Sequence, residues 1–129
     1  MYKAKNLITK EWIKGYLLKT NEGTYICLAN QRDDNLFTYP EQCIILVDEK
    51  TVCPTKNITD KNNKTIYEKD ICKYFNEEDG DGIGIIEDDY VHWVKGTISK
   101  KHIMTPLFYL KCSSEWEVIG NIFDNPELA

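Results

Sequence analysis

Residues 77–89 hold the side chains of this 129-residue chain that are best suited to chemistry. Oxygen-rich clusters of carboxylates are what hard cations such as Ca²⁺ bind. Five positions match places one, three, five, six and twelve of a calcium-binding loop, namely Glu77, Asp79, Asp81, Gly82 and Asp88. The whole acidic set contains no lysine or arginine and consists of Glu77, Glu78, Asp79, Asp81, Glu87, Asp88 and Asp89.

The match to a calcium loop is imperfect. Glu77 stands where the motif has Asp, Asp88 stands where it has Glu, and Gly84 stands where an apolar residue is expected. Strand-like sequences also flank the segment, whereas the motif needs helices. We therefore interpret the segment as a solvated hairpin loop and predict no metal and no cofactor. A patch of one charge sign could instead orient a basic partner or a second copy of the chain.

Nucleophilic catalysis would need a thiol or hydroxyl beside a base. The two histidines, His92 and His102, have no Cys, Asp or Ser at motif spacing. A Cys–His pair assembled only by the fold stays an alternative, but the sequence favours a protein that is not an enzyme. The cysteines are odd in number and irregularly spaced, which favours buried, reduced thiols over disulfides or zinc: Cys27, Cys43, Cys53, Cys72 and Cys112.

A second polar cluster, Tyr67, Glu68, Lys69 and Asp70, has the composition of a tight turn. It allows two interpretations. The turn could be a recognition corner that binds a partner, or Glu68 and Asp70 could bond nearby backbone amides and fix the strand crossing. We favour the second interpretation and keep Tyr67, Glu68 and Asp70 as candidate binding residues.

The formal charge of −5 is unevenly spread. The first twenty residues carry one Glu and five lysines, Lys3, Lys5, Lys10, Lys14 and Lys19. This region could bind nucleic acid, and Trp12, Tyr16, Trp93 and Trp116 could stack on its bases. An acidic chain is poorly suited to phosphate backbones, so nucleic acid is the less favoured partner and we expect the aromatic residues to pack in a core.

Short apolar runs separated by turn residues predict the elements that position these side chains. We expect a hairpin from 12–20 and 24–28 whose loop ends in Gly23 in the left-handed conformation. Residues 30–42 are expected to be loop. The pattern of residues 96–105 is ambiguous, and Ser99 could cap a short helix that extends to Met104. The other predicted strands are 42–47, 71–75, 83–87, 90–94, 107–110 and 116–123. The fold class is mainly β, a small barrel or packed antiparallel sheets with SH3-like character and at most two short helices.

Three blocks resemble the start, centre and end of proteins of the YopX family. They are residues 2–16, 57–71 and 116–128, and the most specific is the central run Asn-Ile-Thr-Asp-Lys-Asn-Asn-Lys-Thr-Ile-Tyr-Glu-Lys-Asp-Ile. The family pattern usually has Gly where this chain has Asn57, Asn63 and Lys69. Asn tolerates the left-handed conformation, so the first two turns should be kept. At Lys69 either φ is negative or the turn is strained by about 1 kcal/mol.

The resemblance implies one mainly-β domain over 1–129, with a possible sub-unit 1–53 and a barrel-like part 54–129. It implies a phage or prophage protein of no settled activity and carries over no catalytic residues. We expect an accessory protein that binds a host or phage protein, with a homo-oligomer as a further alternative. The chain shows no apolar leader and no run of about 20 apolar residues, so we expect it in the cytoplasm of the bacterial host, without a membrane.

Overall fold

Antiparallel strands form the sheet of the first unit, Met1–Thr55. The structure, a computed structural model, describes residues 1–28, 43–110 and 115–129. The strands here are β1 (Tyr2–Lys5), β2 (Trp12–Thr20), β3 (Gly23–Leu28) and β4 (Ile44–Leu46), in the order β4-β3-β2-β1. The start of β5 (Cys53–Thr59) pairs with β1. Ala4, Ile26 and Val47 form the buried core of this unit.

The predicted hairpin is confirmed as β2–β3, but its turn is shorter than expected. Gly23 pairs with Thr20 as the first residue of β3, and its φ is not in the left-handed region. The Thr20 hydroxyl accepts hydrogen bonds from the backbone amides of Glu22 and Gly23. This side-chain bonding closes the turn, so the left-handed glycine that we expected is not needed.

The second unit, Lys56–Ala129, is built on a five-stranded antiparallel sheet in the order β10-β9-β8-β7-β11. Its strands are β7 (Asp70–Asn76), β8 (Gly80–Glu87), β9 (Tyr90–Lys95), β10 (Met104–Pro106) and β11 (Trp116–Asn121). The short strand β6 (Thr65–Tyr67) lies next to β5. The core consists of Ile66, Cys72, Ile86, Val91, Trp93, Ile98, Leu107, Leu110 and Trp116.

The mainly-β prediction is confirmed, and of its two alternatives the packed antiparallel sheets are the one that forms. The described strands make two open sheets and no closed barrel. The structure has a short α-helix, α1 (Leu107–Leu110), and 3₁₀ turns at Glu49–Thr51, Thr97–Lys100 and Pro126–Leu128. The predicted loop 30–42 and the first residue of the predicted strand 42–47 lie outside the described residues.

The strand predicted for 107–110 is wrong, and the ambiguous run 96–105 is now assigned. The run 107–110 is the helix α1 and not a strand, because Leu107 and Leu110, three positions apart, both reach the core. The possible helix from Ser99 to Met104 does not form: the segment has a 3₁₀ turn at Thr97–Lys100, and Met104 belongs to β10. Ser99 does not cap it; its hydroxyl donates to the carbonyl of Gly96.

All three positions where the family pattern has Gly adopt positive φ. The angles are 59° at Asn57, 63° at Asn63 and 69° at Lys69. The two asparagines therefore keep their turns as expected. At Lys69 the strained alternative is the one that holds, because a long side chain occupies a conformation that favours glycine.

Candidate functional site

The acidic segment is divided between the two ends of β8. Asp81 and Glu87 lie near opposite ends of this strand, about 20 Å apart at the usual rise per residue. One cation cannot bridge that distance, so the calcium register does not form a single site. Within 1–28, 43–110 and 115–129, no group of three or more His, Cys, Asp or Glu side chains could hold a metal ion.

The first acidic corner comprises Glu77, Glu78, Asp79 and Asp81. Asp81 is tied to the turn before the 3₁₀ helix, because its carboxylate accepts the Thr97 hydroxyl at 2.9 Å and the Thr97 amide at 3.2 Å. These bonds lower the pKa of Asp81, and the bond from the amide has the larger effect. Lys101 donates to the carbonyl of Glu78 at 3.0 Å. The corner therefore presents carboxylates on a turn that hydrogen bonds hold in place.

The second acidic corner comprises Glu87, Asp88 and Asp89, and it is joined to the Tyr67–Asp70 turn. Two contacts make the junction: the Asp88 amide donates to Glu68 Oε1 at 2.6 Å, and Lys69 Nζ lies 2.9 Å from Glu87 Oε1. The bond from the Lys69 ammonium lowers the pKa of Glu87. The structure thus brings together two clusters that are separate in sequence.

Within that turn, two of the candidate binding residues are buried. The Asp70 carboxylate accepts the backbone amide of Tyr67 at 2.9 Å, and both residues lie in the interior. Burial, followed by the charge of Asp70, raises the pKa of Tyr67. Glu68 is half-buried, and its Oε1 also lies 3.1 Å from Lys56 Nζ. In this geometry Glu68 and Asp70 accept backbone amides and so fix the turn. Because Tyr67 and Asp70 are buried, little of either side chain is available to a partner.

A third turn, which the sequence does not single out as a site, depends on Asp60 in the same way. Its carboxylate accepts the amides of Asn62 and Lys64 at 2.9 Å and that of Val118 on β11 at 2.8 Å. Burial alone would raise the pKa of Asp60, but these three bonds outweigh burial and lower it. Asp60 therefore joins the central family block to the last strand.

The helix α1, where the sequence predicts a strand, carries an exposed aromatic surface. Phe108 and Tyr109 are 60% and 62% exposed, and their rings stack with centroids 4.4 Å apart. We call this pair the aromatic ridge. Phe108 lines a cavity of about 310 Å³ with Lys56, Ile58 and Asp89. In the sequence it appears as an apolar run, 107–110, preceded by Ile103 and Met104, which are exposed in the structure.

Tyr109 lines a second cavity, of about 390 Å³, which we call the aromatic cavity. Its other walls include Tyr74, Trp93 and Asn76, and the Asp79 carboxylate of the first acidic corner borders it. His102 also lines it, with Nε2 3.6 Å from Asp79 Oδ1. Neither a cysteine nor a serine is among the described residues that line this cavity.

The other histidine and the cysteines lie elsewhere. His92 is half-buried on β9. Cys43, Cys53 and Cys72 are buried free thiols, and Cys27 is a half-buried one. Burial raises the pKa of Cys72, which makes its thiol a poor nucleophile. Cys112 lies outside the described residues.

In the first unit, aromatic and basic side chains share one exposed face of the sheet. Lys3 pairs with Lys14 and Lys5 with Trp12, and residues opposite each other across two strands point to the same side. The ammonium groups of Lys3 and Lys5 lie 4.5 and 5.4 Å from the Trp12 ring centroid. Tyr16, two residues beyond Lys14, is 60% exposed on the same face. We call this set the basic face.

Trp93 and Trp116, in contrast, pack in the core as expected. Lys19 pairs with Glu49 at 3.5 Å, and Lys10 lies in the turn after β1 with a φ of 67°. Across the described ranges, no helix has the length and apolar character needed to span a membrane.

Comparison with known proteins shows the family to which the chain belongs. None of the curated proteins compared with the chain matches it significantly. A family model described as YopX protein, however, matches residues 1–129. Because the match extends over every residue, including the three blocks whose turns are described above, the chain belongs to the YopX family.

Proposed function

We propose that this chain is an accessory protein of a phage or prophage that acts in the bacterial cytoplasm as a non-enzymatic protein-interaction module. The observation that carries the proposal is the aromatic ridge, Phe108 and Tyr109, set between two cavities of the second unit. Its partner is a host or phage protein that presents a basic surface.

The ridge has the features of an interface anchor. Aromatic side chains supply much of the binding energy at protein interfaces because they bury a large area when they enter a pocket on the partner. Here two large rings are exposed, while Leu107 and Leu110 of the same helix are buried and hold it in place. Exposed Ile103 and Met104 precede the helix and add apolar area on the same segment.

The charge distribution supports a basic partner. The second unit contains fourteen acidic and nine basic residues, whereas the first contains seven of each. The whole formal charge of −5 therefore belongs to the unit that carries the ridge. Such a field attracts positively charged surfaces and repels a second copy of the same unit.

The test is a quantitative pull-down from bacterial lysate with matched variants. Phe108→Ser with Tyr109→Ser should reduce recovery of the partner by about tenfold or more, since interface anchors dominate affinity. Tyr16→Ser is the control, because Tyr16 is equally exposed but lies in the other unit. Neutralising the seven acids of 77–89 should slow association and weaken its salt dependence.

Two results would contradict the proposal. Equal recovery by the ridge variant and the Tyr16 variant would remove the ridge as the docking surface. Concentration-dependent dimerisation in sedimentation, lost in the ridge variant, would assign the ridge to self-association instead of a separate partner.

A second candidate function, nucleic-acid binding, is favoured by the basic face. Lys3, Lys5 and Lys14 surround Trp12 there, and lysines combined with exposed rings suit single strands. A labelled single-stranded oligonucleotide should then bind with an affinity that falls steeply with salt, and Lys3→Gln with Lys14→Gln should reduce the slope. The absence of any mobility shift at low salt would remove this candidate.

A further inference from the structure

We infer that the aromatic cavity beside Tyr109 binds one arginine side chain of the partner protein. This inference rests on the proposed function and deepens it, because it names the group that enters next to the aromatic ridge. The volume of about 390 Å³ lies at the low end of the range of about 300–1,000 Å³ for ligand pockets, which suits a side chain better than a large ligand.

The walls of the cavity are rings held in fixed positions. The centroids of Tyr74 and Trp93 are 5.8 Å apart and their planes are tilted by 37°. Trp93 is only 7% exposed, and its Nε1 donates to the Thr105 hydroxyl at 2.7 Å. The Tyr74 hydroxyl accepts from Asn76 Nδ2 at 3.2 Å. With Tyr109 at the rim, three aromatic rings surround the space, and cations bind favourably to such rings.

A carboxylate is available at the same cavity. Asp79 borders it, and the backbone amide of Asp79 is held by Asn76 Oδ1, which fixes the turn. Among the described residues, the ion pairs of this carboxylate are long: 3.8 Å to Lys101 Nζ and 3.6 Å to His102 Nε2. A tight ammonium- or guanidinium-carboxylate bond is about 2.7–2.9 Å, so an incoming cation can replace these contacts with closer ones.

The combination favours arginine over lysine. A guanidinium group is planar, stacks on aromatic faces and donates two parallel hydrogen bonds to a carboxylate, whereas an ammonium group is a strongly hydrated point charge. Glu77 and Glu78, exposed on the same turn as Asp79, add attraction for the rest of a basic segment.

The experiment is a titration of the full chain with hexa-arginine amide and hexa-lysine amide at physiological salt. The two peptides carry equal charge, so any difference between them reports recognition of the guanidinium group. Binding is followed by the NMR shift of the Trp93 indole N–H. The arginine peptide should bind about tenfold more tightly than the lysine peptide.

Matched variants locate the site. Asp79→Asn and Tyr109→Leu should each weaken the arginine peptide by about fivefold or more. Glu22→Gln removes the same charge from the exposed β2–β3 turn of the first unit and should have little effect. Equal affinity for the two peptides, or equal effects of Asp79→Asn and Glu22→Gln, would overturn the inference and leave general attraction between charges.

Failure of this inference is distinguishable from failure of the proposed function. The titration needs no natural partner, and the pull-down compares ridge variants without reference to arginine. A partner lost in the Phe108 and Tyr109 variant but retained in Asp79→Asn would keep the docking surface and reject the arginine site.

Discussion

The ammonium group of Lys69 lies 2.9 Å from Glu87 Oε1, although Lys69 adopts a φ of 69° that a lysine rarely takes. The same residue donates its amide to the Ile86 carbonyl at 2.8 Å and accepts the Ile122 amide at 3.1 Å. At Lys69, a residue with a strained backbone, the turn between β6 and β7 is therefore bonded both to β8 and to the residue that follows β11. The surrounding bonds over-determine this conformation, which is how a strained residue persists in a native fold.

The positive φ of Lys69 predicts that glycine is tolerated better than alanine at this position, which is the reverse of the usual order. Lys69→Gly and Lys69→Ala both lose the ion pair, but only Gly also relieves the positive φ. We expect the Gly variant to be more stable than the Ala variant by about 1 kcal/mol in urea denaturation. Lys73 on β7 is the control, since its φ is ordinary and Ala should be better than Gly there by about 0.5 kcal/mol. The same order at both positions would contradict the strain at Lys69.

Asp60 should make stability depend on pH. Its folded-state pKa is lowered, so ionised Asp60 stabilises the fold above about pH 4, the ordinary range of an aspartate, and this stability is lost as pH falls through the folded-state pKa. Asp60→Asn should cost about 2 kcal/mol at pH 7 and much less at pH 2, because the carboxylate that accepts three amides is missing. Urea unfolding at both pH values measures this.

The exposed Asp89→Asn substitution serves as its control and should change stability by less than about 0.5 kcal/mol. If Asp60→Asn cost as much at pH 2 as at pH 7, the ionised form would not be the stabilising species.

The helical conformation of 107–110 can be tested by measuring how much the free energy of unfolding falls when each of its side chains is truncated. A helix buries Leu107 and Leu110, whereas a strand would have put Leu107 and Tyr109 on the same side. Leu110→Ala should cost about 3 kcal/mol and Tyr109→Ala less than about 0.5 kcal/mol. Thermal or urea unfolding distinguishes the two arrangements, and a costly Tyr109→Ala would favour the strand.

Two cysteines that both follow an isoleucine on a strand, Cys27 and Cys72, should differ in thiol reactivity because they differ in burial. Cys72 is buried with a raised pKa, so alkylation should require unfolding. Cys27 is half-buried on β3 and should react in the native protein. Peptide mapping after brief iodoacetamide treatment at pH 8 measures each site, and native labelling of Cys72 at the rate of Cys27 would argue against the buried core.

Much of the local structure could be predicted from the sequence, because turns depend on the conformations of a few adjacent residues. The Asn57 and Asn63 turns, the β2–β3 hairpin and the mainly-β class all follow from short patterns of Asn, Gly and alternating apolar residues. Membership of the family also followed from such blocks. The prediction failed where a short apolar run suits either a helix or a strand, as at 107–110.

Only the tertiary structure decided which of these groups meet. Glu68 and Asp88 are twenty positions apart in sequence, yet the strand pairing of β7 with β8 places their turns side by side. The extended strand β8 separates Glu77, in the turn before it, from Glu87 at its end, and so divides what the sequence presents as one acidic segment. Local preferences carry no information about such partners, because contacts between distant residues depend on register and on the core that the sheet buries.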